Sequence, residues 1–293
     1  MRTRTSTKSI IMFLGPAIIL LMIFLILPMI TSFFISLTNF NTFALADWSK
    51  AKFIGFENFI DLFEDELFWK SLFNTFYALI IAMPLTIILA LFFAVLINRE
   101  QTYFKNFFKV GFYLPFVTNT VAIAIVWKWI LNPEYGLLNW FLGLFGINGP
   151  NWIGDPNWAM PSIIMLVVWK ALGYNIIIFY AGLQNIPEFL YEAAELDGAS
   201  RWQQFLKITV PMLRPTTYFV SVMVLIGYLQ LFEEPYMLTN GGPLDSTLSV
   251  VLYLYRQGFK FFNLGYASSI AVILFLIIFI LTILQTKLKK TEY

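Results

Sequence analysis

The chain has 293 residues, of which 59% are hydrophobic, 19% aromatic and only 12% charged. A soluble domain carries roughly 25% charged residues, so a fully water-facing surface is excluded and the class is a polytopic membrane protein. With no cysteine and no histidine, disulfides, thiol chemistry, metal sites built on those ligands and histidine general-base catalysis are excluded as well.

In chain order, six segments are apolar over the roughly 20 residues a helix needs to cross the hydrocarbon core. They lie at about 10–36, 72–97, 110–131, 161–184, 216–235 and 265–285. The first follows Arg2, Arg4 and Lys8, as a signal peptide would, but it is too long for a cleaved leader and no small-residue site ends it. It reads as a retained span. Pro28 and Pro84 fall inside spans and read as kinks. No broken helix is evident, and no internal repeat or second domain is found, so 1–293 reads as one transmembrane domain. Trp127 and Trp129 flank Lys128 at the end of the third span, a turn follows at 132–136, and Trp140, Trp152 and Trp158 are placed as interfacial aromatics. A second turn cluster lies at 239–243.

Lys and Arg set the orientation, because they accumulate on the cytoplasmic side. Arg2, Arg4, Lys8, Arg99, Lys105, Lys109, Arg201, Lys207, Arg214, Lys287, Lys289 and Lys290 all fall at the termini or in the loops after the second and fourth spans; they are 12 of the 19 basic residues. The loop after the first span is acidic, with Asp47, Glu57, Asp61, Glu64, Asp65 and Glu66. Both termini, and the loop at 185–215, are therefore expected in the cytoplasm.

That loop is the most polar long segment of the chain. Asn185 is expected to cap a helix with Pro187 in its first turn, and Glu188, Glu192 and Glu195 favour the positive end of that helix. Gly198 should stop it, because glycine takes positive φ without penalty. Ser200 should start a second helix from Arg201 to about Thr209, and Pro211 and Pro215 should close the hairpin.

Three ionisable groups fall inside spans. Counted at 1.5 Å per residue, Lys170 stands ~21 Å above Gln184, Glu233 ~25 Å above Thr216 and Lys128 ~27 Å from Val110. Such groups are costly in lipid and are paired or face a watery cavity, so Lys170 is expected to pair with Glu233 or Glu234. Tyr174 and Asn175 in the fourth span, with Tyr228, Gln230 and Glu233 in the fifth, offer aromatic faces and hydrogen-bonding groups of the kind a sugar needs.

Glu192-Ala193-Ala194, then Gly198, Ile208 and Pro211 at fixed spacing, resembles the signature loop of ABC importer permeases, with Val210 departing from the family's leucine. The stretches at 112–116, 127–139, 182–194, 238–243 and 265–267 resemble the carbohydrate branch, similar to the first permease of the maltose, multiple-sugar and glycerol-3-phosphate systems. The resemblance implies an all-α, six-helix type I importer architecture in a bacterial or archaeal cytoplasmic membrane. It implies that Glu192, Ala193, Ala194, Gly198, Ile208 and Pro211 form a coupling helix that docks on a separate ATPase. Partners would be a second homologous permease, two copies of the ATPase, an extracellular solute-binding protein and the lipid bilayer, with a small carbohydrate as cargo and no nucleic acid.

By the same resemblance Tyr174 falls on a substrate-contacting tyrosine, and Val224, Gly227 and Tyr228 fall at site positions where the maltose permease has Ser, Phe and Asn. The expected substrate pathway is Lys170, Tyr174, Asn175, Val224, Gly227, Tyr228, Gln230 and Glu233. No GxxxxGK[ST] segment is present, so ATP and Mg are expected on the partner ATPase, with no cofactor and no catalytic or metal site on this chain. The function expected is that of a permease subunit of an ATP-driven, binding-protein-dependent importer of sugars or oligosaccharides. The alternatives are another solute such as glycerol-3-phosphate or a polyol, or an ion-coupled secondary transporter, which would show repeats and broken helices.

Overall fold

The computed structural model describes residues 7–98 and 104–290. Arg2, Arg4 and Arg99, which carry part of the orientation reading, lie outside them. The described residues form helices throughout, with one isolated bridge between Thr38 and Phe53 in place of any strand. Among the described residues, five helices are long and apolar enough to cross a membrane: Ile11–Ser36, Glu66–Asn98, Pro156–Gln184, Arg214–Leu238 and Leu264–Lys287. Lys105–Val117 and Thr120–Ile130 make a sixth when the bent pair is counted as one span.

That sixth span corrects the expectation of unbroken helices. The two halves meet at 100°, at Thr118, which is extended (φ −77, ψ 142), and Asn119, whose side chain accepts a hydrogen bond from Val121 N. The Asn119 cap starts a new helix where the apolar run suggested continuity. The fifth span is also interrupted: Arg214–Leu229 ends before Glu233–Leu238 begins. Depths counted along continuous helices therefore fail for Lys128 and Glu233 but stand for Lys170, which lies in the single helix Pro156–Gln184.

The two flagged prolines differ. Pro84 sits inside the uninterrupted helix Glu66–Asn98. Pro28 follows a π-helical turn, Met22–Ile26. Proline clashes with the carbonyl four residues back, here Phe24, and the wider turn makes room for the ring. Pro211 repeats the device, with the π turn Phe205–Thr209 around Lys207.

The chain divides into two compact units. The first holds the described residues up to Glu66 together with Tyr253–Ile277. Its first span is lined with exposed apolar side chains, Phe13 and Phe24 among them, as a helix surrounded by lipid or protein would be. The connection after that span is held by polar bonds. Asn58 Nδ2 donates to Ser36 O at 2.7 Å and Thr38 O at 2.9 Å. Gly265 N donates to Phe40 O at 2.8 Å, and a Cβ on Gly265 would lie 2.1 Å from Thr38 O. Asp65 accepts from the hydroxyls of both Tyr253 and Tyr266. Burial first, and then that bond to Asp65, push Tyr253 up to about 12, so it stays a donor at any physiological pH.

The second unit runs over Leu67–Leu252 and resumes at Ile278. At its centre is Pro156–Gln184, with Ile163, Leu166, Ile176 and Phe179 fully buried. Gly173 lets this helix approach the third span so closely that a Cβ would lie 2.0 Å from Phe112 O. The loop after the fifth span is tied to the second: Asn74 Nδ2 donates to Asp245 O and Leu248 O, and Thr75 Oγ1 accepts from Val250 N.

Candidate functional site

The hairpin at 185–215 folds from its own local code. Its first helix is Phe189–Leu196. Gly198 has φ +74, and Gly198 N bonds Glu195 O while Ala199 N bonds Ala194 O. This is the paired closure that a glycine after a helix end makes possible. Ser200 then starts the next helix as expected, through a reciprocal capping box with Gln203. That helix runs from Arg201 through the π turn to Met212. Asn185 is a correction. It does not cap the following helix; it ends the fourth span, with its side chain donating to Ala181 O at 3.0 Å. Glu188 precedes Phe189–Leu196 with no side-chain cap.

The two arms are joined by Tyr191 and Thr209, whose hydroxyls are 2.8 Å apart, and by Gln204 Nε2 donating to Ala199 O. Glu192 and Ala193 are exposed, whereas Ala194, Ile208 and Pro211 are half-buried. The hairpin's three most exposed large apolar side chains are Leu196 at 90%, Trp202 at 67% and Phe189 at 63%. A rigid polar frame that presents apolar side chains is suited to be gripped by another protein.

The second feature is a cavity of about 630 Å³ between the fourth and fifth spans, within the usual range of small-molecule pockets. Lys170, Tyr174, Asn175, Val224, Gly227, Tyr228, Gln230 and Glu233 all line it, so every residue singled out from those two spans falls on one wall system. Tyr174 is stacked on Phe116, with centroids 4.8 Å apart and planes at 17°. Gly227 faces open space, with nothing within 4 Å of a Cβ placed on it. Tyr228 is buried and its hydroxyl lies 2.6 Å from Thr86 Oγ1. Asn175 gives its amide nitrogen to Ala171 O, and its carbonyl oxygen is enclosed without a partner among the described residues.

Lys170 does pair, and with Glu234 above all. Its ammonium donates to Glu234 Oε1 at 2.9 Å and to Thr120 Oγ1 at 2.6 Å, while Glu233 Oε2 is 3.6 Å away. The interruption before Glu233 turns the buried Glu234 inward and leaves Glu233 on the open side. Lys170 thus links both broken spans, at Thr120 and at Glu234, to the continuous fourth span. Phe116, Thr120 and Glu234 were not foreseen as a group. The Asn119 capping signal inside an apolar run was the trace that could have found the break that places them.

A family model for the binding-protein-dependent transport system inner membrane component matches residues 68–291. The chain belongs to that family. As a member it is a transport component and a multi-pass protein of the cytoplasmic membrane. It is 36% identical to the lactose transport system permease protein LacF of Rhizobium radiobacter, over 94% of this chain and 91% of that one. It is 33% identical to the trehalose/maltose transport system permease protein MalF of Thermococcus litoralis, over 94% and 91%. Among solved structures, a bacterial alginate ABC transporter in complex with an alginate pentasaccharide-bound periplasmic protein is similar at 26% identity. Its TM-score is 0.81, covering 97% of this chain and 95% of that chain. The break at Thr118–Asn119 is thus a feature of an importer permease. Broken helices do not by themselves mark a secondary transporter here.

Proposed function

We propose that this permease carries sugars or oligosaccharides inward, as the membrane-spanning subunit of an ATP-driven, binding-protein-dependent importer, with the cavity as solute pathway and the hairpin as ATPase dock. The observation that carries the reading is the convergence of the eight pathway residues on one cavity, with a stacked aromatic pair and several polar groups on its walls. The names of its relatives, lactose, trehalose/maltose and alginate systems, agree with that chemistry.

The whole chain acts as one permease domain beside a second, homologous permease, with two copies of an ATPase on the cytoplasmic side and a solute-binding protein on the other. Both termini and the hairpin are cytoplasmic, in keeping with the basic residues gathered there. ATP and Mg belong to the ATPases, and this chain holds no cofactor of its own. Glu192 meets a polar or basic group in the ATPase cleft, Ala193 and Ala194 permit close approach, and Gly198 sets the turn. Ile208 and Pro211 carry the motion on into the fifth span. ATP-driven closure of the ATPases would move the hairpin and switch the cavity between its two openings.

Uptake of labelled sugar into proteoliposomes holding the complete importer tests this. Without ATP there should be no uptake, and Glu192→Ala or Gly198→Asp should lower it more than ~10-fold while the protein still inserts, a loss of about 1.4 kcal/mol in coupling. Wild-type uptake by both variants would remove the hairpin from the coupling path.

A further inference from the structure

Lys170 is the one cation among the residues that line the cavity, and its ammonium is already engaged by Thr120, Glu234 and, more distantly, Glu233. The side chain of Lys170 is 18% exposed and that of Glu234 11%, whereas Glu233 is 61% exposed. One ammonium therefore faces two carboxylates. The buried carboxylate takes the better bond, and the exposed one is the charge an entering solute meets. Two further polar groups on the cavity wall are also engaged within the protein. The Tyr228 hydroxyl is bonded to Thr86 and the Asn175 amide nitrogen to Ala171 O.

We infer that the cavity selects a solute that donates hydrogen bonds and carries no anionic group, with Glu233 as the specificity-determining residue. This rests on the carbohydrate reading and narrows it to an uncharged saccharide, whose neighbouring hydroxyls can both donate to the Glu233 carboxylate. An anionic sugar would have to pull Lys170 away from Glu234, leaving a buried carboxylate unpaired. It would also have to lie against Glu233 with a charge of the same sign. This permease thereby differs from the importer of the acidic polysaccharide alginate to which it is similar.

The test uses the membrane complex that co-purifies with the full chain, in nanodiscs and without binding protein. It is titrated calorimetrically with cellobiose and with digalacturonate, two disaccharides alike in size and unlike in charge. The wild type should bind cellobiose at least ~10-fold more tightly than digalacturonate, and Glu233→Gln should shrink that preference to less than ~3-fold by removing the opposing charge. Glu233 is exposed, so this variant folds as the parent does. Digalacturonate binding as tightly as cellobiose to the wild type, or an unchanged preference in Glu233→Gln, overturns the inference while leaving the carbohydrate reading in place. A complex that binds neither sugar overturns both.

Discussion

The hairpin and the cavity belong to the same compact unit and are made in opposite ways. The bonds that close the turn at Gly198 and start the next helix at Ser200 join residues a few positions apart, and Phe189, Leu196 and Trp202 point away from the chain. The cavity wall is assembled across 50 and 64 positions, from Lys170 to Thr120 and to Glu234, and Lys170 and Glu234 point inward. The contrast follows from the surroundings. A segment in water can leave polar backbone to solvent and present apolar groups to a partner. A charge within a span must find its counter-charge inside the protein, because lipid offers none.

The strongest way to break this contrast is to remove the cation. Lys170→Met leaves Glu234 buried and unpaired, and breaking a buried pair from one side costs about 3–5 kcal/mol. Thermal unfolding of the solubilised protein should shift down sharply, and adding Glu234→Gln should restore much of the loss. Equal unfolding of the single and double variants would mean the pair is not what holds the broken spans.

A smaller loss is expected where helices touch. Gly173→Ala would place a Cβ 2.0 Å from Phe112 O, a backbone atom that cannot swing aside, and overpacking of this kind costs about 1–3 kcal/mol. The same unfolding measurement checks it, and an unshifted transition would mean the third and fourth spans separate freely.

The smallest effect on stability, and the sharpest separation of the two regions, comes from Leu196→Ser. A side chain 90% exposed contributes little to the fold, and stability should stay within about 0.5 kcal/mol. In the assembled importer, however, binding of the ATPase subunits should weaken, as read by the ATPase retained on affinity purification. Unaltered retention would show that the exposed apolar face of the hairpin is not where the ATPase grips.

Legibility in the sequence followed the same division. The Gly198 stop and the Ser200 start could be read because turn and cap signals act over three or four residues. Asn185 misled for a related reason: an asparagine beside Pro187 signals the start of a helix, yet its amide serves the end of the preceding one equally well. The spans were legible as apolar runs, but the corner at Thr118–Asn119 was not, because two polar residues barely change the average over a window of some 20 residues. The choice between Glu233 and Glu234 depended on the interruption that precedes them. Side-chain direction along an assumed continuous helix pointed nowhere in particular. Once the chain breaks at Gln230–Phe232, one glutamate faces in and its neighbour faces out.

The 100° corner also settles something about hydration. Helix ends leave backbone N–H and C=O groups without intrahelical partners, and hydrocarbon supplies no substitute for them. Thr118 and Asn119 are both exposed on this chain, so the face that carries them cannot lie against acyl chains. Water or another polypeptide must reach it, and backbone amides there will exchange with deuterated solvent on a timescale that the flanking helices, sealed by their own bonds, do not share.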